Sequence, residues 1–216
     1  MRKIAQIIFL ACGLLLTLAA FSVFPQEVKE VEMNKRPFQD LTDFVVQKVE
    51  KKKVDLTKPF SIELEGVLNN DGRLAAKKSK FTKSTGDAAM IEIGKSFIEA
   101  VSESGFLSYL KSFGVEKLNL TLVQDDNQIY ADVIAEVETS QKAATISTSL
   151  NSATQIVRAK KDEMKNLRDD EKILIGGLKA SSNGKTLAIK VAYEKSVIQE
   201  LINRMLKESQ VKQSSE

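Results

Sequence analysis

The sequence predicts an α+β protein. It would hold a mostly antiparallel sheet of about six strands, built from three strand-strand-helix units and preceded by a helix and an N-terminal apolar leader. Three observations carry this expectation. Apolar and polar residues alternate in short segments, as in half-buried strands. These segments pair across turn sequences, Asn69-Asn70-Asp71-Gly72, Asp125-Asp126-Asn127 and Ser182-Asn183-Gly184, which imply antiparallel hairpins. A stretch with helical apolar spacing follows each pair, and such units pack as a sheet with helices over one face.

The leader comes first. Arg2 and Lys3 precede an apolar run over residues 4–24, represented by Ile4, Leu10, Leu14, Leu18 and Phe24. A helix of that length measures roughly 30 Å, enough to cross a bilayer core. Basic residues before the run and Glu27 and Glu30 after it place the amino end in the cytoplasm and the remainder outside. Two readings stay open. A cleaved signal peptide finds loose small-residue sites at Thr17-Leu18-Ala19 and Ala20-Phe21-Ser22, while a retained anchor needs only the span. Lipidation at Cys12 has a poor motif in Phe9-Leu10-Ala11.

Residues 27–58 read as a linker and an amphipathic helix. Pro37 suits a first helical turn, and Phe38, Leu41, Phe44, Val45 and Val49 share one face. Lys51-Lys52-Lys53 suits the helix's carboxyl end. The α+β domain is expected over residues 59–207. Its first strand alternates Phe60, Ile62 and Leu64 with Ser61, Glu63 and Glu65, and residues 73–81 read as the returning strand. Asp87 is placed to cap a helix with Ala89, Ile93, Phe97 and Val101 on one face. Gly105 breaks it, and residues 106–113 form a second short helix.

The second unit alternates Leu118, Leu120 and Leu122 with polar residues and returns through Ile129, Ala131, Val133, Ala135 and Val137. Thr139 or Ser140 caps a long helix striped by Ala143, Ile146, Leu150, Ala153, Val157, Met164 and Leu167. The third unit runs over residues 172–180, where Gly176-Gly177 suggests a bulge, and returns through Leu187, Ile189, Val191 and Tyr193. Ser196 and Gln199 form a capping-box pair for a last helix with Val197, Leu201, Ile202 and Met205. Residues 208–216 read as a disordered tail. The second face of the sheet, with Glu63, Asn119 and Asp132, is left for solvent or a partner.

Part of this pattern resembles a known module. Residues 60–90 comprise an apolar strand with Gly66, then Asn70-Asp71-Gly72, a second strand, Ser84-Thr85-Gly86-Asp87 and a helix opening with Ala88-Ala89. This order is similar to the opening of the TonB carboxy-terminal domain. The resemblance implies an exported or membrane-anchored bacterial protein with an extracytoplasmic module. The Pro-rich spacer of a periplasm-spanning TonB is absent, and two further units follow, so energy transduction itself is not implied.

Composition limits the chemistry. Among 216 residues there is no His and no Trp, and Cys12 is the lone cysteine. Ser-His-Asp and Cys-His catalysis, Cys/His zinc sites and histidine switching are excluded. No disulfide can form within one chain. Formal net charge is +3; with Arg2 and Lys3 set aside, 30 basic and 29 acidic residues remain.

Ser108 and Lys111 fit Ser-x-x-Lys, in which a desolvated amine activates a hydroxyl, and Gly184-Lys185-Thr186 inverts the Lys-Thr-Gly order of penicillin-binding enzymes. Surface-helix and turn positions explain both more simply. Asp125-Asp126 and Asp169-Asp170-Glu171 lack the spacing of a Ca²⁺ loop. Lys77, Lys78, Lys80 and Lys83 form the main basic cluster, read as a guard on an edge strand or as a contact for an anionic surface.

The expected function is therefore non-enzymatic: an extracytoplasmic envelope protein, periplasmic or on the extracellular face, that binds a protein or an envelope surface. The partners would be the membrane, through an uncleaved leader, and an envelope protein; no nucleic acid and no cofactor is expected. A lipid or small-molecule carrier with an apolar pocket between sheet and helices is the alternative, and a Ser/Lys hydrolase the third reading.

Overall fold

The computed structural model describes residues 34, 36–51, 53–160, 177–198 and 200. Helix α1 (Arg36–Glu50) leads to strand β1 (Phe60–Val67), β2 (Lys80–Gly86), helix α2 (Ala88–Glu103) and the short α3 (Leu107–Ser112). Strands β3 (Lys117–Gln124) and β4 (Gln128–Glu136), helix α4 (Ser140–Lys160), β5 (Leu178–Asn183) and β6 (Thr186–Glu194) follow. The α+β architecture is as the sequence predicts. Six strands form one sheet in the order β2-β1-β3-β4-β6-β5, and every neighbouring pair is antiparallel.

The register explains the two faces. Ile62, Leu122, Ala131, Val191 and Leu178 lie in one row across the sheet, and Leu64, Leu120, Val133, Ile189 and Ala180 in the next. These residues face the core, which also holds Phe38 and Leu41 of α1, Ile98 of α2, Leu107 of α3 and Ile146 of α4. The opposite face carries the row Lys83, Glu63, Thr121, Asp132, Lys190 and Lys179. Two cross-strand ion pairs lie in that row, Lys83 with Glu63 at 3.2 Å and Lys190 with Asp132 at 3.8 Å. Ile134, 46% exposed, is the main apolar residue left open there.

Local chemistry sets the element ends. Asp87 accepts a hydrogen bond from Met90 N at 3.0 Å and caps α2. Thr139, rather than Ser140, caps α4 by accepting from Lys142 N at 3.1 Å. Gly105, at φ 83°, separates α2 from α3. The buried positions of α2 are Met90, Gly94, Ile98, Ala100, Val101 and Ser102, with Ile93 and Phe97 partly buried beside them. The stripe is thus turned by about one residue from the Ala89, Ile93, Phe97 set.

The largest departure from expectation is the first hairpin. Residues 73–79 are not strand, and the returning strand is β2, starting at Lys80. Leu74 makes only an isolated bridge to Leu68, and its N–H donates to Ser102 Oγ at 2.8 Å. The Ser79 hydroxyl accepts from Val67 N, closing the excursion. A side-chain partner on α2 thus captures the backbone that a continuous hairpin would have paired. In the third unit the strand runs on through Ser181 to Asn183, so the turn falls at Gly184-Lys185. Residues 195–198 and 200 are helical. Residues 172–176, Gln199 and Leu201, Ile202 and Met205 of the expected last helix lie outside the described residues, as do Ala153 and Val157 at side-chain level.

Candidate functional site

An antiparallel sheet has two edges, and each must be closed, guarded or used. The β5 edge is closed at Ala180. Hydrogen-bond alternation turns the N–H and C=O of Ala180 away from β6. The side-chain amide of Asn151, on α4, meets both: its Nδ2 donates to Ala180 O at 2.7 Å, and its Oδ1 accepts from Ala180 N at 2.9 Å. One amide side chain thus stands in for a neighbouring strand. The Ser147 hydroxyl reaches Ser182 Oγ at 3.3 Å along the same edge. A polar residue beside the stripe of Ala143, Ile146 and Leu150 was the one available sequence signal for this device.

The β2 edge is treated differently. Asp87 N donates to Pro59 O, and Leu68 N to Glu116 O, which fixes the alternation along β1. Thr85, Lys83 and Lys80 therefore bond β1, while the backbone groups of Ser84 and Phe81 face outward. Those outward groups have no backbone partner among the described residues. The strand is mostly exposed and carries a register shift opposite Glu63 and Leu64. Bulges and lysines are the usual means of keeping an edge from pairing indiscriminately.

The structure divides the four lysines of the predicted basic cluster. Lys80 and Lys83 lie on β2 and are neutralised by Glu65 at 3.1 Å and Glu63 at 3.2 Å. Lys77 and Lys78 lie before the strand, not on it, in an exposed turn where neither makes an ion pair among the described residues.

A polar cleft of about 820 Å³ opens at one end of the sheet, lined by residues including Thr57, Lys58, Asn127, Glu194 and Lys195. Lys195 is 9% exposed, and its Nζ donates to Thr57 O at 2.6 Å and Asp125 O at 2.9 Å. Gln124 donates to Leu56 O and Lys58 O. These two side chains tie the loop before β1 to the β3–β4 turn and to the end of β6. The Asp55 carboxyl lies below its ordinary range because the Thr57 hydroxyl and N–H donate to it. Asp125 is lowered by the N–H groups of Gln128 and Asn127. Sequence reading assigned Asp125 to a turn, which it closes, but passed over Lys195 and Gln124. Their partners are backbone carbonyls distant in sequence, a contact with no sequence signature.

The Ser108 hydroxyl donates to Gly105 O, and Lys111 lies 4.0 Å from Glu116. Among the described residues no cluster of three Asp, Glu, His or Cys is placed to hold a metal ion, and no helix is long and apolar enough to cross a membrane. Ile4, Leu10, Leu14, Leu18, Phe24 and Cys12 lie outside the described residues, as do Asp169, Asp170 and Glu171.

Two glycines of residues 60–90 are required by geometry. Gly72 has φ 72°, and a Cβ there would fall 2.1 Å from Ser108 Cα. Gly86 has φ 108°, and its Cβ would fall 2.4 Å from Pro59 O. Comparison with family models, curated proteins and solved structures gave no match to this chain.

Proposed function

We propose that the protein is a non-enzymatic, extracytoplasmic envelope protein, delivered or anchored by residues 4–24, that binds an extended segment of another envelope protein along the outer edge of β2. The observation carrying this reading is the asymmetry of the edges. The fold uses a half-buried asparagine to close β5 at Ala180, yet leaves Ser84 and Phe81 of β2 without a backbone partner among the described residues. An added strand satisfies such groups directly, and alternate side chains supply selectivity. The resemblance to a TonB-like module at residues 60–90 points the same way. The polar lining of the described cleft lends no support to an apolar carrier.

The test is Ser84→Pro, which removes the outward N–H donor while β1 keeps its bonds to Lys83 and Thr85. A photo-crosslinker at Thr82 should trap a specific envelope protein in the parent chain and lose it in Ser84→Pro at unchanged melting temperature. Equal trapping by both chains would refute edge addition.

A further inference from the structure

We infer that the turn carrying Arg73, Lys77 and Lys78 rests on the anionic lipid surface of the membrane in which the leader is anchored. This rests on the reading of residues 4–24 as a retained span. The inference comes from where the chain enters the domain. Asn34 N donates to Ser104 O at 2.9 Å, fixing the entry point at the end of α2. The turn of residues 69–79 is fastened to the same end: Leu74 N donates to Ser102 Oγ at 2.8 Å, and Gly72 packs against Ser108 of α3. Entry point and basic turn therefore lie side by side.

Nine residues, 25–33, separate Phe24 from Asn34 and span at most about 32 Å. That is close to the diameter of a domain of this size, so the end bearing Asn34 stays within about one domain diameter of the headgroups and its basic turn is within reach of them. Arg73, Lys77 and Lys78 are exposed there, with Asp71 as the one acid in the turn and Glu103 and Glu116 as nearby exposed acids. Lys80 and Lys83 face the open side of the sheet and are already paired. Each cation near an anionic leaflet favours contact roughly fivefold; with Glu116 paired to Lys111, the three cations against Asp71 and Glu103 leave a net preference of about fivefold. That is weak for a free domain and effective for a tethered one, whose contact is intramolecular.

The full chain reconstituted into vesicles tests this, with amide exchange of residues 73–79 as the readout. In vesicles containing phosphatidylglycerol these amides should exchange roughly fivefold more slowly than in phosphatidylcholine vesicles. The difference should vanish in 0.5 M salt and in the Lys77→Glu/Lys78→Glu chain, and persist in Lys80→Gln/Lys83→Gln. Equal exchange in the two vesicle types overturns the inference while leaving the anchor intact. The same slowing by soluble polyphosphate without vesicles overturns the membrane as its source. A chain released from vesicles by alkaline carbonate overturns the anchor, and the inference with it.

Discussion

Replacing Asn151 by Ala removes the side chain that closes the β5 edge at Ala180. Two hydrogen bonds disappear, at 2.7 and 2.9 Å, and both were made to backbone groups of Ala180, a residue only 8% exposed. A typical net hydrogen bond contributes about 1 kcal/mol, and a buried group left unpaired costs about 1–3 kcal/mol. The N–H and C=O of Ala180 should recover part of this from water once the side chain is gone, so the expected loss is about 2–3 kcal/mol. For a domain near 150 residues that corresponds to a fall in melting temperature of roughly 4–12 °C. Urea unfolding should show a lower midpoint at unchanged slope, since the surface exposed on unfolding barely changes. Asn151→Asp should fall in between at neutral pH, because a carboxylate still accepts from Ala180 N but cannot donate to Ala180 O. The opened edge should also promote concentration-dependent association, visible by size-exclusion chromatography. A loss below about 0.5 kcal/mol, with Ala180 amide exchange unchanged, would refute the claim that Asn151 serves as a substitute strand.

Two further outcomes follow from the cleft. Lys195→Met keeps the stem but leaves Thr57 O and Asp125 O without their ammonium donor, so stability should fall by about 2–3 kcal/mol, with faster exchange at residues 55–58 and 125–127; an unchanged urea midpoint would show the lysine is not a tie. Asp55 and Asp125 both have folded values below their ordinary ones, so their contribution is fully present above about pH 4 and is lost as pH falls through the depressed folded values. A urea midpoint measured from pH 6 down to pH 2 should therefore decline below pH 4, and less so in Asp125→Asn, whose side chain no longer titrates; parallel declines in the two chains would contradict that role.

Much of the fold was readable from the sequence because it rests on local chemistry. The alternation around Ile62, Leu120 and Ile189 fixes which side of each strand is buried, since a one-residue slip would expose every apolar side chain. Asp87, Thr139, Gly105 and the turn at Asp125 act within a few residues of themselves. Residues 73–79 were misread as strand because their sequence permits one, and Ser102, twenty-eight residues from Leu74, decides otherwise. The candidate surfaces were legible only in part. The lysines could be seen as a cluster, but not that Glu63 and Glu65 neutralise two of them on the neighbouring strand β1, while Lys77 and Lys78 make no ion pair among the described residues.

By itself, then, the sequence determined the α+β class, most of the hairpins, the caps at Asp87 and Thr139, and the exclusion of histidine chemistry and intrachain disulfides, because composition and short-range periodicity are properties of the chain. Strand order, the choice of which edge is closed and the placing of Lys195 among distant carbonyls were decided by tertiary structure alone. Those contacts join Asn151 to Ala180 and Lys195 to Thr57, residues that come together only when the sheet forms and that carry no mark of one another in the sequence.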